Sequence, residues 1–134
     1  MGICQASLDE SVRYAQERTQ FDRPIAGFQL TQKKFADMAL ELDKGFLLAL
    51  HLGRLKDAHT IRPEQISVGK LNNVREALAI ARECRSILGG NGITLEYPVI
   101  RHMNNLESVF TYEGTNEMHT LVVGEALTGI AAYR

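Results

Sequence analysis

Four residue types that a proton-abstracting site needs stand side by side in Tyr112-Glu113-Gly114-Thr115. An aromatic ring beside a carboxylate can shield it partly from water. Burial disfavours the charged form and moves its pKa up toward the range useful for taking a proton. Gly114 lets a ligand approach the backbone, and Thr115 with the first N–H groups of a following helix offers donors to an anionic or carbonyl oxygen. The same four residues also describe an acid at the start of a helix, facing solvent. Two further runs carry chemistry of their own. Arg18-Thr19-Gln20-Phe21 sets a cation that can hold a phosphate next to a ring that can stack. Gly89-Gly90-Asn91-Gly92 is not a dinucleotide fingerprint, because no strand precedes it and the spacing is wrong; on its own terms it is a turn. His51, His59, His102 and His119 are scattered without zinc spacing, so no metal is expected.

The elements that must position these residues are helices. Residues 3 to 19 place Leu8, Val12 and Ala15 at helical spacing, with Tyr14 and Arg18 four apart. Residues 29 to 58 carry Phe35, Met38, Leu42, Phe46 and Ala49 in steps of three and four. Pro63 suits a first helical turn, and Leu71, Val74, Leu78 and Ala81 form a stripe running on toward Leu88. The glycine run at 89 to 92 must end that helix. Residues 96 to 106 predict a shorter helix, and a last one begins near Thr115, whose hydroxyl can cap it, and continues through Met118, Leu121, Val122 and Ala126. Strand signals are nearly absent. The expected fold is all-α: a four-helix up-and-down bundle with one short extra helix. Residues 20 to 28 are expected as a loop, and 106 to 114 as a segment whose aromatics lie outside any helix. Apolar loops of this kind are where ligand contacts tend to be found.

A chain of 134 residues is one domain, long enough for a core yet short for a cofactor-dependent enzyme. Fifteen basic residues against sixteen acidic ones leave a net charge of -1. There is no broad basic field for nucleic acid or a membrane surface, so any anion must be held by local geometry. Two cysteines cannot staple a domain of this size, and Cys84 reads as a reduced, partly buried thiol. No apolar run approaches a membrane span, and the first residues lack a leader pattern. The expected location is the bacterial cytoplasm, or the mitochondrial matrix if the source is eukaryotic.

The order of the segments is more specific than any one of them. Arg18-x-Gln20-Phe21, then Phe28-Gln29, then Leu88-Gly-Gly-Asn-Gly92, then Tyr112-Glu-Gly-Thr115 resembles the C-terminal domain of the acyl-CoA dehydrogenases, from about residue 3 to the end. Gln-Lys-Lys at 32 to 34, Leu52-Gly-Arg-Leu-Lys56, Leu106-Glu107 and Leu127-Thr-Gly-Ile130 look most like the glutaryl-CoA dehydrogenases. The short-chain acyl-CoA oxidases share much of this pattern.

The resemblance implies oxidation of an acyl-CoA between Cα and Cβ, with Glu113 as the base and FAD as the hydride acceptor. The backbone N–H of that glutamate and a ribityl hydroxyl of FAD would hold the thioester carbonyl. In glutaryl enzymes loss of CO2 then gives crotonyl-CoA. Arg18, Gln20 and Phe21 match a segment reaching the FAD of a neighbouring subunit, and Gln29 another cofactor contact. Ser86, Ile87, Leu88, Gly89 and Gly90 match the dinucleotide-binding turn, Thr115 the pyrophosphate side, and Tyr133 a terminal aromatic near FAD. Gly114 and Tyr112 would line the acyl site, Tyr112 being equally a core residue. Implied partners are electron-transferring flavoprotein, or O2 in an oxidase, and further copies in a homotetramer. A non-catalytic helical oligomerisation module is the reading from another class. Where the family has glycine after the phenylalanine, Asp22 stands here; at positive φ it would cost of order 1 kcal/mol. The N-terminal helical and middle β domains of the family are not found in these residues. The expectation is therefore a chain with the base and half a cofactor site, inactive alone.

Overall fold

A computed structural model describes residues 1–133. Helix α1 spans Gly2–Glu17, with Cys4, Ser7, Leu8, Ser11 and Ala15 turned inward at three- and four-residue spacing. Its buried serines need no outside partner. Ser7 and Ser11 donate their hydroxyls to the carbonyls four residues back, at 2.9 and 2.8 Å. Such small side chains let α1 lie close to its neighbour.

Residues 20 to 28, expected as a loop, contain regular structure. β1 (Thr19–Gln20) and β2 (Arg23–Pro24) form an antiparallel hairpin, followed by a 3-10 turn at Ile25–Gly27. The two hairpin-turn residues, Phe21 and Asp22, take φ of 52° and 60°. Two left-handed residues in a two-residue turn match the strand twist. That geometry usually selects Asn-Gly, so Phe-Asp carries no ordinary hairpin signal.

Helix α2 spans Gln29–Asp57 and α3 spans Pro63–Ile87. Pro63 opens α3, and Arg62 N–H donates to Gln65 Oε1 at 2.8 Å. The two helices approach closely at glycines. A Cβ on Gly69 would lie 2.3 Å from Leu52 Cδ1, and Asn73 Nδ2 donates to Gly45 O at 3.1 Å. α3 ends as expected at the glycine run, where Gly89 takes φ of 59° and a second 3-10 turn covers Gly89–Ile93.

Helix α4 spans Val99–Thr111 and α5 spans Asn116–Thr128. Both have 13 residues, so the helix expected to be short is as long as the last one, and it starts and ends later than predicted. Phe110 therefore lies in α4, packed on the core, rather than in an apolar loop. Thr115 caps α5 as expected, accepting from Met118 N–H at 3.4 Å.

The fold is all-α, with α3 at the centre in contact with α1, α2, α4 and α5. Leu78, Ala81 and Cys84 of α3, with Leu88 at its C-cap, meet Leu8, Met38, Val99 and Leu106 from the surrounding helices. Cys84 is fully buried, 3.7 Å from Met38 Sδ. Outside this core, α2 shows Leu40, Leu47 and Leu50 to solvent.

Candidate functional site

All the expected residues but Gln29 and Tyr133 gather into two clusters near opposite ends of α3. The first surrounds the α3 C-terminus. Arg18, Gln20, Ile87, Leu88, Gly89 and Gly90, drawn from α1, the hairpin and the glycine turn, line one open cleft of about 430 Å³. Tyr14, Ile25 and Asn91 complete its lining. Sequence reasoning did not assign these three to the site, although the Tyr14/Arg18 spacing and the Gly-Gly-Asn-Gly run held two of them in view. Asn91 Nδ2 donates to Tyr14 OH at 3.1 Å, and the Tyr14 and Tyr97 rings meet edge to face at 5.6 Å. This pair ties the glycine turn to α1.

Gly92 explains the tightness of that turn, because a Cβ there would lie 2.2 Å from Arg85 O. Leu88 lines the floor of this cleft and, 1% exposed, belongs to the core.

An adjoining cleft of about 460 Å³ is lined by Gln20, Phe21, Ser86 and Ile87 with Ile25, Phe28, Leu30, Thr31 and Lys34. Phe21 stands 87% exposed on the hairpin turn, its ring 6.3 Å from that of Phe28. Arg23 covers the Phe28 ring at 3.9 Å. A strained, exposed aromatic is a feature that ligand sites retain. Gln29, the first residue of α2, lines a separate cleft with Arg23 and Gly27. Tyr133 is 43% exposed beyond α5 and is not among the residues of these clefts.

The donor set of the first cluster fits an anionic dinucleotide. It offers the Arg18 guanidinium, backbone left open at Gly89 and Gly90 where an added Cβ meets nothing within 4 Å, and a free ring face at Phe21. Asp22, exposed on the same turn, works against a phosphate.

The second cluster is the turn between α4 and α5. Tyr112 is 53% exposed, Glu113 is exposed, and Gly114 and Thr115 are half-buried. Glu113 takes φ of 56° and Gly114 φ of 96°. Of the two readings open from sequence, a shielded and a solvent-facing carboxylate, this chain shows the solvent-facing one. The Tyr112 ring leaves it open, and its desolvation must come from a ligand or from further protein. Beneath the turn lie Lys70 and Ser67 of α3 and His119 of α5, none of them assigned from sequence. Lys70 donates to the Tyr112 and Gly114 carbonyls. His119 Nδ1 lies 3.0 Å from Ser67 Oγ, and its buried Nε2 has no hydrogen-bond partner among the described residues. No local pattern marks an isolated lysine or serine on a helix as part of a site 40 residues downstream.

Comparison with known proteins agrees with the all-α fold. The family described as "Acyl-CoA dehydrogenase, C-terminal domain" matches residues 1–128. The mitochondrial short-chain specific acyl-CoA dehydrogenase of Bos taurus is 38% identical over 134 residues, 100% of this chain and 32% of that protein. Crystalline glutaryl-CoA dehydrogenase of Mycobacterium smegmatis is 66% identical with a TM-score of 0.96, over 99% of this chain and 34% of that one; a second structure of it contains FADH2. A chain from the electron transferring flavoprotein structure of Acidaminococcus fermentans is 34% identical with a TM-score of 0.91, over 95% of this chain and 33% of that one. The chain thus spans about a third of the length of the relatives it matches.

Proposed function

This chain belongs to the acyl-CoA dehydrogenase family, and from that premise we propose that it supplies the catalytic base and one wall of the FAD site of a dehydrogenase acting on glutaryl-CoA. The observation that carries the proposal is Glu113: an exposed carboxylate on a left-handed turn, directly before the Thr115-capped N-terminus of α5.

Glu113 takes the α-proton of the bound thioester, whose carbonyl accepts from Glu113 N–H. FAD, when bound, accepts the hydride that leaves Cβ. Gly114 leaves room for the acyl chain, and Tyr112 borders it. Thr115 lies on the pyrophosphate side. Arg18, Gln20, Phe21 and the Ser86–Gly90 turn hold cofactor phosphate and ring. Lys70 and Ser86 lie 16 residues apart on one helix, which is about 24 Å at 1.5 Å per residue. That separation supports two cofactors per chain surface: Glu113 works on one, and the Arg18 cluster reaches the FAD of a neighbouring subunit. The exposed Leu40, Leu47 and Leu50 of α2 offer apolar surface for such an assembly, a homotetramer in this reading.

Glutaryl-CoA is preferred as substrate because of the 66% identity to the mycobacterial enzyme. A short-chain acyl-CoA is the second reading, favoured by the bovine relative that matches the whole chain. Electron-transferring flavoprotein is the proposed acceptor, and the assembled enzyme works in a bacterial cytoplasm or a mitochondrial matrix. The region carrying the rest of the flavin pocket must be joined to this chain for turnover. In that enzyme Glu113→Gln should retain FAD while glutaryl-CoA no longer bleaches it. Bleaching at the unmodified rate would refute the assignment of the base. Peroxide formation in place of electron transfer to the flavoprotein would make it an oxidase.

A further inference from the structure

Lys70, in the first half of α3, reaches across the sequence to two backbone carbonyls. Its ammonium donates to Tyr112 O and to Gly114 O, the latter at 2.5 Å. These oxygens bracket Glu113. The same ammonium lies 5.7 Å from the centroid of the Tyr112 ring. Glu113 and Gly114 are consecutive left-handed residues, a conformation that persists only where the surroundings over-determine it. His119 supports the turn from below. A Cβ on Gly114 would lie 2.9 Å from its Nε2, while its Nδ1 is held on Ser67, one helical turn before Lys70.

A trans peptide unit is planar, with its C=O and N–H pointing in opposite directions. Tyr112 C=O and Glu113 N–H share one such plane. Gly114 C=O and Thr115 N–H share another. Once both oxygens are drawn onto Lys70, both N–H groups point away from its ammonium. Glu113 N–H is the donor assigned above to the thioester carbonyl, so its direction matters to the reaction as much as the carboxylate does.

We infer that Lys70 is a positioning residue for the dehydrogenation: by fixing the Tyr112–Glu113 peptide plane it aims Glu113 N–H at the substrate carbonyl without touching substrate itself. This rests on the acyl-CoA dehydrogenase reading of Glu113. The rival is a cation that merely satisfies carbonyls at the end of α4 and stabilises the bundle.

Lys70→Met and Lys70→Arg separate the two. In the 134-residue chain, the backbone N–H order parameter at Glu113 should fall from the rigid range, about 0.85, to below about 0.6 in Lys70→Met while the interior of α3 is unchanged. Lys70→Arg, which keeps the cation, should restore most of the order. In the flavin-loaded enzyme carrying this chain, Lys70→Met should slow flavin bleaching about a hundredfold, the scale expected for small misplacements of a reacting group, with KM for glutaryl-CoA little changed. The carbonyl stretch of bound, 13C-labelled thioester should move toward its free value. An unchanged order parameter at Glu113 would overturn the inference, as would a loss of order spread evenly over α3 and α5. If Glu113→Gln bleaches normally, the dehydrogenase reading fails, and the order parameters still report separately on whether Lys70 orders the turn.

Discussion

The glycines at the end of α3 should differ sharply in what a methyl group does to them, and their order tests the geometry of the cofactor turn. Gly92 is buried, and a Cβ would sit 2.2 Å from Arg85 O, 3.0 Å from Arg85 C and 3.1 Å from Arg85 Cα. Ordinary contact needs more than a further 1 Å, and the obstacle is helix backbone, which cannot rotate away like a side chain. Gly92→Ala should therefore cost roughly 2–3 kcal/mol, the upper part of the overpacking range. Gly89 meets nothing within 4 Å but takes φ of 59°, so Gly89→Ala should cost about 1 kcal/mol for the left-handed conformation alone. A Cβ on Gly90 would meet nothing within 4 Å among the described residues, and its φ is not left-handed. Gly90→Ala should be neutral, or stabilising by up to about 0.5 kcal/mol through the unfolded state. For a chain of this size 1 kcal/mol moves Tm by about 4 °C, so the three variants should melt about 10 °C below, about 4 °C below and level with the parent. Circular dichroism melts of the 134-residue chain resolve these gaps. Because Gly90 lines the Arg18 cleft, Gly90→Ala should also weaken FAD binding to the assembled enzyme while leaving Tm alone. A Gly92→Ala chain melting with the parent would refute the close approach. A Gly90→Ala chain melting lowest would refute the assigned turn.

Two more perturbations address the core and the hairpin. Burial pushes the Cys84 thiol from 9.0 up to about 11, so above pH 9 the unfolded chain loses a proton that the folded chain keeps. Stability should fall by roughly 2–3 kcal/mol between pH 9 and 11 in urea titrations, and Cys84→Ser should flatten that fall; an unchanged slope would remove Cys84 as its source. Asp22 sits at φ of 60° where glycine carries no penalty, so Asp22→Gly should raise stability by about 1 kcal/mol and tighten FAD binding by removing a carboxylate from the hairpin turn. A lower Tm for that variant would contradict the left-handed assignment.

The helices were legible because their cores obey a simple period: Leu8, Met38, Leu42, Leu78 and Ala81 are all inward at the predicted spacing. The cap at Thr115 and the stop at Gly89 were legible because each is a local chemical necessity. The hairpin was not, since Phe-Asp at two left-handed positions hides the signal that Asn-Gly would have given. The α4 boundary slipped because Phe110 is as compatible with a helix as with an apolar loop, and packing against the core decides between them. Within the site, residues adjacent in sequence could be found together. Lys70, Ser67 and His119 could not, because their relation to Glu113 exists only once α3 and α5 are docked.

Glu113 is the most informative of these. Sequence adjacency to Tyr112 left both a shielded and a solvent-facing carboxylate open, and the chain leaves Glu113 exposed and spends its packing on the backbone beneath it. A base that must also donate its own N–H needs two separate supports: a fixed peptide plane and a dry surrounding for its charge. The bundle supplies the first through α3, and the second must arrive with the flavin, the thioester and the protein that encloses them. Dividing the work this way leaves the Glu113 carboxylate exposed until the pocket closes over it. The surroundings in which it works are then set by the assembled pocket rather than by this bundle.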